Sequence, residues 1–133
     1  MPAHIERRLI QALIIVACLV PLLAGGAGVV MGPVEMRGVI DPPIDLDSHY
    51  RYLSGLLLGI GIAFLSCVPR IEARGSRLKL LGFIVVIGGL GRLLSLRNGT
   101  PSLEHQLALI MELGVVPAVM LWQARIARHI PSH

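Results

Sequence analysis

Arg92 and Glu112 are ionisable residues set inside otherwise apolar stretches of this sequence. A charged side chain at the centre of a membrane helix costs about 2.5–3.5 kcal/mol on insertion scales, so it turns toward a protein interior and takes a partner. Counted from the limits of the apolar runs, Arg92 lies about four residues, or ~6 Å, inside the outer end of its helix. Glu112 lies about nine residues, or ~14 Å, inside the same side. The expectation is an electrostatic pair, direct or through water, with Arg51, Ser95 and His105 completing a polar pocket in the outer half of the molecule. Arg92 would meet the anionic or carbonyl end of a ligand whose apolar tail lies along glycine faces. The structural alternative has Arg92 snorkelling to the outer headgroups and a protonated Glu112 bonding a nearby carbonyl.

Other chemistry is thinner. Asp45, Asp47 and His49 alternate in "DLDSHY", so an extended chain would put them on one side, where oxygen and imidazole ligands could hold a divalent metal. The competing use is capping, with Asp47 or Ser48 as the N-cap of the next helix. Cys18 and Cys67 stand in apolar segments without metal or redox spacing, and are expected as buried thiols. No nucleophile elbow, HExxH, P-loop or paired-carboxylate motif occurs. The glycine runs are not dinucleotide loops, because no strand precedes them. The chain is therefore expected to need no cofactor and to be non-enzymatic, with an enzyme on a membrane-embedded substrate, using Glu112 and His105 as acid and base, as the outlying reading.

The elements that position these residues follow from composition. Of the 133 residues 54% are hydrophobic and 15% charged, against about 45–50% and about 25% in soluble domains, which points to the membrane. Four continuous apolar runs, at about 9–30, 52–68, 78–96 and 103–122, have the length a helix needs to cross ~30 Å of hydrocarbon. They lack the period-two alternation of barrel strands. The fold class expected is all-α, an integral membrane four-helix bundle forming one domain over 1–133, with 31–48 as an outer loop and lid. The start "ERRLIQALIIVACLV" also looks like a signal peptide, but its apolar stretch continues well past Cys18.

Arg7, Arg8, Arg70, Arg74, Arg77, Lys79, Arg125 and Arg128 flank one set of helix ends, whereas the opposite loops are mostly acidic. The positive-inside rule then puts both termini and the middle loop in the cytoplasm, in a multi-pass inner-membrane protein. The net charge of +4 is thus a topology signal meeting anionic headgroups, and no nucleic-acid partner is expected, since base-stacking aromatics are missing. Small residues let membrane helices approach, and Gly55 and Gly59 on the second helix, with Gly88 and Gly91 on the third, are expected to be the packing positions. A GGxG echo links "AGGAGVV" and "IGGLGRLL". Pro21 and Pro117 should interrupt the first and fourth helices, freeing carbonyls of Ala17 and Leu113.

The segments "SGLLLGIG", "GGLGRLLS", an NGTP turn and "MELGVVP" resemble the small bacterial four-helix membrane family DUF4345, most densely from Tyr50 to Pro117. The resemblance implies a four-span inner-membrane fold, carries no activity, and maps Arg92, Ser95 and Glu112 as signature positions. A more distant likeness is to DoxX-type proteins, which implies redox or quinone-linked accessory roles at most. The leading expectation is a membrane protein that binds a lipid-like or quinone-like molecule, or a membrane protein partner, through the Arg51/Arg92/His105/Glu112 pocket. The rival is a small transporter or proton-coupled carrier that works as a homo-oligomer, with Glu112 carrying the proton.

Overall fold

The computed structural model describes residues 2–129; residues 1 and 130–133 of the expected 1–133 domain lie outside the described part. The described residues are helical or in turns, with no strand. Helix α1 covers Ala3–Met31, α2 Ile44–Leu65, α3 Gly75–Ser95, α4 Leu103–Ile110 and α5 Val116–His129. A π-helical segment, Met111–Val115, joins α4 to α5, and single 3₁₀ turns follow α1 and α3 and precede α3. Three helical stretches, Ala3–Val34, Gly75–Asn98 and Leu103–His129, are long and apolar enough to cross a membrane. Their outward side chains are apolar: Leu23, Val30, Phe83, Ile110 and Leu121 are all well over half exposed. That is the pattern expected where lipid rather than water surrounds a helix whose backbone groups are bonded within it.

Two compact units make up the chain: residues 12–68 form one, and the segments on either side of them form the other. In the 12–68 unit, the later part of α1 packs against α2 through glycines. A Cβ on Gly25 would stand 2.6 Å from the Leu58 nitrogen and 2.8 Å from the Ser54 carbonyl oxygen; one on Gly28 would overlap the Ser54 hydroxyl; one on Gly61 would press on Leu22 and Pro21 at 3.2–3.3 Å. Pro21 therefore sits inside a helix assigned as continuous, not at a break. Helix α1 stops at Met31 because Gly32 takes a left-handed conformation, φ +73°, as glycine readily does just past a helix end.

The other unit has its core where the basic residues gather. Ile10, Ile71, Leu78 and Ile126 are fully buried there, around the side chain of Gln123, whose Nε2 donates to the Ile71 carbonyl at 2.8 Å. Helix α3 runs antiparallel to α4–α5. Gly75 is set against Gln123, Gly82 against Met120 and Gly89 against Leu113.

Several expectations are corrected. The outer loop is shorter than 31–48, since α2 begins at Ile44 behind Pro43 rather than at Ser48. Proline cannot donate the amide that a helix start leaves unused anyway, and Asp45 and Asp47 in the first turn face the positive helix end. Within each unit the close helix contacts fall at glycines other than the expected ones: among the described residues, a Cβ on Gly59, Gly88 or Gly91 has no neighbour within 4 Å in its own unit, and one on Gly55 meets only Val29 at an ordinary 3.8 Å. The GGxG echo is thus not an echo in packing: Gly25 and Gly28 are contacts in α1, whereas in α3 the contact is the middle glycine, Gly89.

Candidate functional site: an arginine–glutamate pair at a π turn

Arg92 is placed by the last turn of α3, where a cation meets the negative end of the helix dipole. Glu112 is placed by the π segment. Pro117 has no N–H, so the carbonyl four residues before it cannot find the usual helical partner. Upstream of the proline the helix widens over Met111–Val115, and Val116 donates five residues back, to the Met111 carbonyl. Such π segments are uncommon and concentrate at functional sites.

Gly89 brings the two elements together. A Cβ there would lie 2.9 Å from Leu113 Cδ2 and 3.0 Å from Glu112 Cβ, so glycine lets α3 approach the π segment closely. Arg92 is three residues on from Gly89, on the same helix face. Its Nε donates to Glu112 Oε2 at 3.1 Å and its Nη2 to Oε1 at 3.2 Å. This fork-on-fork geometry fixes orientation as well as charge. The carboxylate side chain keeps 19% of its surface and the guanidinium side chain 34%, so the pair is half-buried and opens on the arginine side.

Of the other expected pocket members, His105 and Arg51 have local partners. His105 is half-buried with Nδ1 2.9 Å from the Ser102 hydroxyl, at the start of α4. Ser95 is exposed and lines a shallow depression with Asn98, Gly99, Thr100 and Pro101. Neither has a hydrogen bond to Arg92 or Glu112 among the described residues. Arg51 belongs to the 12–68 unit, where Nε donates to Asp47 Oδ2 at 2.9 Å and Nη1 to the carbonyls of Val29 and Val30 at 2.7 and 3.0 Å. It closes the last turn of α1, whose carbonyls lack helical donors.

Asp45, Asp47 and His49 stand on a helix and not on the extended segment expected, so residues two apart point ~200° away from each other, and no group of three such ligands forms among the described residues.

Two features escaped the sequence reading. A groove of about 370 Å³ lies at the turn between α3 and α4, lined by Leu96, Gly99, Thr100, Pro101, Gln106, Leu109 and Ile110. Its signal was the NGTP turn, held by Gln106 Nε2 donating to the Pro101 carbonyl at 2.8 Å. The second is a set of ion pairs at the basic end. Arg7 Nε meets Glu72 Oε2 at 2.8 Å, Arg7 Nη2 donates to the Pro69 carbonyl at 3.1 Å, and Arg125 Nη2 lies 3.3 Å from Glu6 Oε1. Burial pushes the Glu72 carboxyl up. The Arg7 hydrogen bond, a backbone hydrogen bond and the charges of Arg7 and Arg70 outweigh that and hold it below its ordinary 4.5. The signal available in sequence was two acids, Glu6 and Glu72, among many bases.

A family described as a domain of unknown function, DUF4345, matches residues 9–123. The chain belongs to that family. No curated protein and no solved structure matches it, and nothing in the match carries the DoxX likeness.

Proposed function

We propose that this DUF4345 chain is a four-span inner-membrane protein, working as one domain, that binds the anionic or carbonyl end of a lipid-like molecule at Arg92–Glu112. The observation that carries the reading is the bidentate pair, built on a π turn and exposed on the guanidinium side. Arg92 is the recognising cation; Glu112 orients its fork and holds the charge balance until a ligand oxygen takes over part of it. The apolar groove beside the α3–α4 turn suits a hydrocarbon tail.

The four-span part rests on α2. Its 22 residues reach ~33 Å, enough for hydrocarbon, although Asp45, Asp47, His49 and Arg51 make its first turns polar. The distribution of Arg and Lys supports a cytoplasmic side for both chain ends.

Native mass spectrometry of protein released from its own membranes, wild type beside Arg92→Gln, tests the binding role. A discrete added mass that vanishes in the variant is expected. Bare chain in both samples overturns it. The π turn also favours a second reading, a small oligomeric carrier in which a helix changing register moves Glu112 relative to Arg92. Proton flux in vesicles, abolished by Glu112→Gln, would mark that reading; no flux removes it.

A further inference from the structure

We infer that the group Arg92 takes is an uncharged carbonyl oxygen, of an ester or a ketone, rather than a carboxylate, sulfonate or phosphate. The inference rests on the binding reading above and narrows its ligand class.

A guanidinium carries five N–H donors in a fixed fork. Glu112 accepts one from Nε and one from Nη2 of Arg92, so both donors of Nη1 have no acceptor among the described residues. They are open to the surroundings. About a third of the Arg92 side chain is exposed, and the buried side-chain polar atom without a partner among the described residues is a different one, Arg74 Nε. Arg92 also lies inside the apolar span Gly75–Asn98, where water is scarce and a bare donor costs more than it would at an aqueous surface.

Two features say what the acceptor is. The first is that the pair is already neutral. An anion on Nη1 would gain one cation and face, across the same guanidinium, the carboxylate that holds Nε and Nη2 at 3.1 and 3.2 Å. In a medium of low dielectric that repulsion offsets much of the attraction. A charged group also loses more hydration than a carbonyl on reaching this depth. A carbonyl oxygen brings lone pairs without a charge, so it takes the Nη1 donors and leaves Glu112 in place. The second feature is the groove at the α3–α4 turn. Its walls include Leu96, four residues on from Arg92, and Leu109, three before Glu112, each one turn along the same helix face. No wall of the groove carries a charged side chain. An apolar chain lying there turns its carbonyl end to the guanidinium and passes no second cation that would hold an anion.

The test offers three probes of matched chain length, methyl decanoate, decyl methyl ether and decanesulfonate, to the full chain in neutral detergent micelles. Native mass spectrometry reads the probe retained by wild type, Arg92→Met and Glu112→Gln. Wild type is expected to retain the ester at least about tenfold better than the ether, the worth of one hydrogen bond to a charged group, and better than the sulfonate. Arg92→Met should lose the difference between ester and ether. Glu112→Gln leaves the guanidinium charge unbalanced and should turn the preference to the sulfonate; an unchanged order in that variant overturns the inference. Wild type preferring the sulfonate also overturns it while leaving the binding reading in place, since an anionic end then fits. Ester and ether retained alike by wild type would leave Nη1 to water and overturn it too. Retention of no probe overturns the binding reading itself. If Glu112→Gln does not fold, wild type alone decides by its order of ester, ether and sulfonate.

Discussion

A double-mutant cycle on Arg92 and Glu112 probes the central geometry. Two unit charges about 4 Å apart interact by roughly 4 kcal/mol at an effective dielectric near 20. Because a third of the Arg92 side chain stays exposed, screening brings the expected coupling to about 2 kcal/mol. Arg92→Met leaves a carboxylate beside Gly89 with no cation, and Glu112→Leu leaves a guanidinium with no acceptor. Each single change should destabilise by about 2–3 kcal/mol, below the 3–5 kcal/mol of a fully buried pair. The double variant leaves no charge unpaired, so it should be destabilised by about 2 kcal/mol less than the sum of the two single changes. Equilibrium unfolding in mixed micelles gives all four stabilities. Single effects that simply add, within about 0.5 kcal/mol, would mean that the two groups do not act on each other, and the account of the site would fail.

Gly89→Val should destabilise by about 1–3 kcal/mol through overpacking on Leu113 and Glu112, whereas Gly88→Ala and Gly91→Ala should be neutral or stabilising by up to about 1 kcal/mol; thermal unfolding of the three separates the two glycine faces. Arg51→Met should cost about 1–2 kcal/mol, because the carbonyls of Val29 and Val30 lose their donor, and Gly32→Ala should destabilise the same unit through its φ of +73° and the Arg51 and Asp47 atoms 2.8 Å from an added Cβ. Glu72 has a folded value below 4.5, so its ion pair contributes stability above about pH 4.5 that is lost as pH falls through the folded value; a Glu72→Gln variant should flatten the acid limb of the stability profile, and an unchanged limb would remove Glu72 from the account.

Much of the architecture is legible in order along the chain. Runs of apolar residues too long for strands and without alternation leave helix as the way for backbone amides in hydrocarbon to be bonded. The depth of Arg92 and Glu112 on neighbouring helices likewise followed from counting residues, and their contact is present. Legibility stopped where local patterns had two uses. "DLDSHY" looks like a ligand set if extended and like a helical first turn behind Pro43, and the proline decides for the helix. Arg51 was expected in the same pocket as Arg92, yet it is held by Asp47 and by the end of α1, whose carbonyls are twenty or so residues away in sequence.

What the sequence by itself determined is the helical class, three apolar stretches long enough to cross a membrane, their basic and acidic ends, and the presence of a carboxylate and a guanidinium inside two of them. Those depend on the solvation of each residue alone. Tertiary structure decided which glycines are contacts. A helix of 3.6 residues per turn offers Gly82 and Gly89 on one face and Gly88 and Gly91 on another, and composition does not distinguish the two. Only the bulk of Met120 and Leu113 on the facing helix selects Gly82 and Gly89. The π turn is decided in the same way, since Pro117 requires the helix upstream to adjust and the space at Gly89 lets it widen toward Arg92.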